Sequence, residues 1–159
     1  MAPERYQTAW CYEEPLAVQF SIFLANRVGQ FKELLDLLVA QGIRLAGVSV
    51  VDSTDWAVIR MIVSEPDKAR ELLGAKRLPH TESEVLLVEL DSRHSLSQVC
   101  TRLLQAEINL HFAYPLLVRP NDRPVIAMHV DDTVLATRTL IMHGTTLLGH
   151  ADLAGPESV

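Results

Sequence analysis

Two stretches of the chain carry the same spacing of apolar positions. Val28–Leu45 and Arg93–Leu110 align at a constant offset of 65 residues, seen for instance between Ile43 and Ile108. At that offset Phe31 falls on Leu96, Leu34 on Val99, Leu35 on Cys100, Leu38 on Leu103, Val39 on Leu104 and Leu45 on Leu110. Within each stretch the first five apolar positions recur at i, i+3, i+4, i+7 and i+8, the period of one buried stripe on an α-helix. Farther along the offset becomes 67, through Val63 with Val130, Ala69 with Ala136 and Leu73 with Leu140. A two-residue insertion belongs in a loop, and residues 119–124 against 52–55 provide one. The pattern is that of a duplication.

Each copy predicts the same order of elements. Leu16–Ala25 and Glu84–Asp91 are rich in Val, Ile, Leu and Phe and read as strands. A short loop follows, Asn26–Gly29 or Ser92–His94, and then the helix. Gly42 closes the first helix by taking the left-handed cap cheaply; Glu107 stands there in the second, where the stop is less obvious. Strands over Arg44–Val51 and Trp56–Val63 correspond to Asn109–Val118 and Val125–Val130. Pro66 suits the first turn of a second helix running to Leu73, matched from about Asp132 to His143 before Gly144. Weak final strands over Arg77–Ser83 and Thr145–Leu153 complete β-α-β-β-α-β twice. The expected class is α+β, with two ferredoxin-like units over 16–82 and 83–159 after an extension over 1–15. Tyr6, Trp10 and Tyr12 offer rings that could dock that extension. A unit of about 65 residues buries a small share of its surface and has an unpaired strand edge. The two are therefore expected to pack as an internal pseudo-dimer, joined by the short polar junction Pro79–Glu84.

Composition narrows the functional classes. The 159 residues carry a formal net charge of −6, and no Lys/Arg block runs along any segment, which speaks against nucleic acid or an anionic membrane as partner. Two cysteines, Cys11 and Cys100, make no disulfide framework and fit a reducing compartment. The first residues lack an apolar leader segment, and no apolar run reaches the roughly 18 residues of a membrane helix, so a soluble cytoplasmic protein is expected. Of the six histidines (His80, His94, His111, His129, His143 and His150), none has zinc-ligand spacing, and no metal is expected. No nucleophile elbow and no glycine-rich phosphate loop occurs, so neither catalysis nor a cofactor is indicated. Cys100 falls on the apolar stripe as a small hydrophobe. Glu13-Glu14 and Asp131-Asp132 fall at loops or helix starts.

The loop after the first strand is a candidate site. In Asn26-Arg27-Val28-Gly29-Gln30-Phe31 the free N–H groups of a helix's first turn face the loop and favour an anion such as a carboxylate. Gly29 admits close approach to the backbone, and Asn26 offers both a donor and an acceptor to an α-amino acid. The loop alone serves equally a plainer reading, in which Asn26 caps the chain and Gly29 permits the turn.

This hexapeptide resembles the N-R-P-G-x-L signature of ACT domains, with Val28 in place of the Pro and Phe31 in place of the Leu. Gln41–Leu45 and Ala106–Leu110 resemble the family's A-x-G-I-N-I entry to its second strand; Asn109 keeps the Asn and Arg44 replaces it. The resemblance spans about residues 16–153 and is to small stand-alone proteins with two ACT domains. It implies a βαββαβ fold and a regulatory module that binds an amino acid or other small effector. It also implies contacts from the loop after the first strand of one domain and the start of the second strand of the other. Carried over, one site would combine Asn26, Arg27, Val28, Gly29, Gln30 and Phe31 with Asn109. A second set, Arg44, Arg93, His94 and Ser95, lacks both the loop Gly and the Asn, although Arg44 could clamp a carboxylate. Leu24 stands where some members use His, which leaves the effector's side chain undefined.

The expected function is that of a non-enzymatic amino-acid sensor, paired as a homodimer and passing its occupancy to a regulated protein partner. Two other classes compete. Arg27–Phe31 resembles the anion loop of acylphosphatases, which would make a small hydrolase. The histidines could instead serve a metal-responsive interaction module.

Overall fold

In the computed structural model the described residues are 15–25 and 29–153. The expected extension with its three aromatic residues, Cys11 and Glu13-Glu14 lies outside them, as do Asn26, Arg27 and Val28. The elements run β1 (Leu16–Ala25), α1 (Gln30–Ala40), β2 (Leu45–Asp52), β3 (Trp56–Val63), α2 (Pro66–Ala75) and β4 (His80–Glu89). Then follow α3 (Leu96–Gln105), β5 (Leu110–Pro115), β6 (Val125–Val130), α4 (Thr133–Met142), β7 (Thr146–Leu148) and α5 (His150–Leu153). The described chain divides into two units, one of residues 18–83 and one of residues 84–153 together with 15–17.

In the first unit β3 lies between β1 and β2, antiparallel to both, with Phe20 opposite Met61 and Ser49 opposite Arg60. The start of β4 adjoins β1, where Phe23 N–H donates to the Pro79 carbonyl at 2.9 Å. Phe20, Ile22, Ile59 and Met61 of the sheet pack with Leu34 and Leu38 of α1 and Leu72 and Leu73 of α2. In the second unit β4 pairs with β6 (Leu86 opposite Met128) and with β7 (Leu87 opposite Leu148), and β5 pairs with β6. Its core joins Leu86, Val88, Met128 and Val130 to Val99 and Leu103 of α3 and Leu140 of α4. Each such side chain contributes about 1.5–3 kcal/mol on burial. The order βαββαβ is thus made twice.

Four expectations change in detail. The junction Pro79–Glu84 is no loop: β4 runs through it, closing the first unit with residues 80–83 and opening the second with 84–89. No Gly, Pro or Asn interrupts His80–Glu89, so nothing turns the chain between the two roles. The final segment 145–153 is split, because Gly149 ends β7 and its N–H donates to Asp152 Oδ2 of α5 at 2.9 Å. The helical stripes are narrower than their apolar spacing. Leu34 and Leu38, and Val99 and Leu103, are buried, whereas Val39 and Leu104 are 76% and 75% exposed. Residues one position later rotate about 100° off the line that meets a flat sheet; Phe31, Leu35 and Cys100 are accordingly only half-buried, and Leu96 is exposed. The strand expected over Asn109–Val118 is shorter, Leu110–Pro115, with one further backbone bond from Leu116 N–H to the Val125 carbonyl at 2.9 Å.

The backbone repeats more faithfully than the side chains. Gly42 (φ 68°) and Glu107 (φ 58°) take the same left-handed turn after α1 and α3, so Glu107 bears a strain that Gly42 avoids. Nothing lies within 4 Å of a Cβ built on Gly42, which makes the torsion the whole cost of adding one. Gly42→Ala is expected to lower the urea-unfolding free energy by about 1 kcal/mol and Glu107→Gly to leave it unchanged or raise it. A destabilised Glu107→Gly variant would show that the two turns are not equivalent.

Candidate functional site

α1 begins at Gly29, which is left-handed (φ 88°, ψ −12°) and supplies no side-chain cap. Its carbonyl accepts the N–H of Glu33 at 2.9 Å, and the N–H groups of Gln30, Phe31 and Lys32 precede the first intrahelical bond. A Cβ built on Gly29 would meet nothing within 4 Å among the described residues. Phe31 leans on the core of the first unit and fixes the turn from below.

The matching helix start in the second unit is closed by its own chain. Ser95 caps α3 in a capping box: Gln98 N–H donates to Ser95 Oγ at 3.3 Å and Ser95 N–H to Gln98 Oε1 at 2.9 Å. Ahead of it, the N–H groups of Arg93 and His94 both donate to Asp91 Oδ1 at 2.8 Å. The donors that α1 holds out are satisfied internally here.

Entry to the second strand of each copy is built alike. Arg44 N–H donates to Ser64 Oγ at 3.1 Å, and Asn109 N–H to Asp131 Oδ1 at 3.2 Å. Backbone bonds return from Ser64 N to Arg44 O and from Asp131 N to Asn109 O. Both strands then shift register, between Leu45 and Gly47 and between Leu110 and Phe112. Such bulges re-aim the side chains around them. Arg44 is half-buried; Asn109 is exposed, with Nδ2 donating to Asp131 Oδ2 at 3.1 Å and Oδ1 left to offer. Asp131 therefore positions Asn109, while Asp132 caps α4 by accepting Leu135 N–H at 2.8 Å.

Of the second candidate set, Arg93 and His94 line a cavity of about 80 Å³ together with Gln98, Arg102, His143 and Thr145. Ser95 serves as the cap instead, and Arg44 belongs to the other unit. The His94 ring sets Nδ1 3.0 Å from Asp91 Oδ1 and Nε2 3.0 Å from the His143 carbonyl. Its Nε2 also stands 3.5 Å from where a Cβ on Gly144 would lie, an ordinary contact, so it is the left-handed φ of 79° that favours glycine there. Sequence reasoning missed Asp91, Gln98, Arg102, His143 and Thr145 here. The Ser-x-x-Gln spacing of the cap was visible, but the contact from His94 to His143 spans 49 residues and leaves no local mark. Among the described residues no group of three His, Cys, Asp or Glu could hold a metal. No helix there is long and apolar enough to cross a membrane.

Burial pushes the Asp91 carboxyl up, but the N–H groups of Arg93 and His94 and the His94 ring outweigh it and hold the group below the usual aspartate range. A depressed folded value adds stability above the unfolded value and loses it as pH falls through the folded one. Asp91→Asn is expected to be less stable than the parent chain at about pH 6, by about 1–2 kcal/mol, with the gap closing as pH falls below the ordinary aspartate range. A gap independent of pH in urea melts would remove the role of the charge.

A model of the ACT domain pair matches residues 16–155. Protein BT0572 from Bacteroides thetaiotaomicron has a similar crystal structure (TM-score 0.78, 23% identity, 89% of this chain and 97% of that one). The ligand-free regulatory subunit of aspartate kinase from Thermus thermophilus is similar in fold (TM-score 0.53, 14% identity, 80% and 91%). So is the corresponding subunit from Thermus flavus (TM-score 0.51, 13% identity, 80% and 91%). No curated protein sequence matches. The family match covers nearly all the described chain and agrees with the doubled βαββαβ order, so the chain belongs to the ACT domain pair family.

Proposed function

We propose that this chain is a non-enzymatic regulatory protein whose effector is an amino acid, bound through the start of α1. The observation that carries the proposal is the contrast between the two helix starts: α3 is capped by Ser95 and Gln98, and α1 begins at a left-handed Gly29 with no side-chain cap. A carboxylate suits three convergent N–H groups at the positive end of a helix dipole. Asn109, oriented by Asp131 in the second unit, is by the sequence resemblance a separate candidate for a polar contact. Asn26, Arg27 and Val28 complete the proposed loop by sequence. Family membership and the aspartate kinase regulatory subunits among the structural neighbours support a regulatory over a catalytic role.

Occupancy is proposed to reach a protein partner, or a second copy of the chain, through a surface contact. Exposed apolar side chains at the β2–β3 hairpin, Val50, Val51 and Trp56, support such a contact. They lie on or beside β2, an edge strand of the first unit.

A thermal-shift screen of the twenty amino acids tests the reading. One of them, at about 100 times its dissociation constant, is expected to add about 2.7 kcal/mol. Gly29→Val, which puts a branched side chain beside the first-turn amides at a stability cost from the left-handed φ, should abolish the shift relative to its own ligand-free melt. Ser95→Ala should keep it. A null screen, or a shift that survives Gly29→Val, would reject the site.

A further inference from the structure

The cavity beside His94 lies wholly within the second unit, and its chemistry differs from that of the α1 start. Its lining brings together Arg93 and Arg102, and neither guanidinium forms an ion pair among the described residues. No carboxylate lines it. Two unpaired cations sharing one cavity are notable in a chain of net charge −6.

Of the remaining lining residues Val99 is apolar, and Gln98 and Thr145 offer neutral donors. Gln98 has its Oε1 committed to the Ser95 N–H, so its amide N–H groups are what it has to give. Thr145 is only 2% exposed, lines the cavity, and its hydroxyl has no hydrogen-bond partner among the described residues. His94 lies between two oxygens, Asp91 Oδ1 and the His143 carbonyl, each 3.0 Å from a ring nitrogen. The Asp91 carboxylate sits behind that ring, engaged by two backbone N–H groups. A space of about 80 Å³ holds several waters or one ion of four or five heavy atoms. It is too small for an amino acid together with its side chain.

We propose that this cavity binds a tetrahedral oxyanion of the phosphate class, gripped by Arg93 and Arg102 with Gln98 and Thr145 as neutral donors. Paired guanidiniums match the several acceptor oxygens of a dianion better than the single charge of a carboxylate. The proposal is independent of the effector reading at α1.

The test is calorimetric titration of the full chain with sodium phosphate, against sodium chloride at equal ionic strength and sodium acetate. Saturable binding is expected with phosphate alone. Arg93→Gln/Arg102→Gln should weaken it at least about tenfold, with circular dichroism unchanged. Lys76→Gln/Arg138→Gln removes the same charge elsewhere and should bind as the parent does. Glycerol 3-phosphate binding tighter than inorganic phosphate would identify a phosphorylated small molecule as the source, and the reverse order free phosphate. The proposal is overturned if phosphate acts no differently from chloride, if acetate competes equally, or if the two double variants behave alike.

Discussion

The first turn of an α-helix has N–H groups that no residue of the helix itself can satisfy, and something else must meet them. In this protein the two copies of one βαββαβ unit solve that constraint differently. At α3 the chain folds back on itself, Ser95 and Gln98 exchanging hydrogen bonds with each other's backbone. At α1 the residue in the same place is Gly29, which has no side chain to fold back and whose left-handed backbone opens the turn. The two copies thus differ at this point: one helix start is closed by its own side chains, and the other, where the effector is proposed to bind, has no side-chain cap from its N-cap residue.

What the copies share lies in the backbone. The left-handed residues after α1 and α3, the paired hydrogen bonds at the entry to β2 and β5, and the register shift just beyond all recur at a constant spacing. These features place the same chain positions, Arg44 and Asn109, at the same point of each unit. The side chains there have diverged. Ser64 binds the backbone of Arg44, whereas Asp131 binds both the backbone and the carboxamide of Asn109. Conserved framework with altered side chains is how one fold comes to carry two different sites.

Periodicity made most of the architecture legible. The helices, the paired strands and the place of the two-residue slip follow from where apolar side chains recur. The width of the buried stripe does not follow, since spacing alone cannot say that Val39 and Leu104 turn away from the sheet they adjoin. Nor could it show that one strand, β4, serves two units, because the polar residues Thr81 to Glu84 read like a linker while remaining compatible with a strand. Gly29 was legible as a loop glycine in a recognisable hexapeptide. The cavity at His94 was half legible: Arg93 and His94 stood in the loop, but Arg102, His143 and Thr145 reach it through helix packing, which no local pattern records.

Backbone amide shifts observed during titration with the stabilising amino acid test the central claim most directly, because they read the two helix starts side by side. The account predicts that Gly29, Gln30, Phe31 and Lys32 move with the effector while Ser95, Leu96, Ser97 and Gln98 stay in place. Movement at the capped start of α3 with silence at α1 would contradict it.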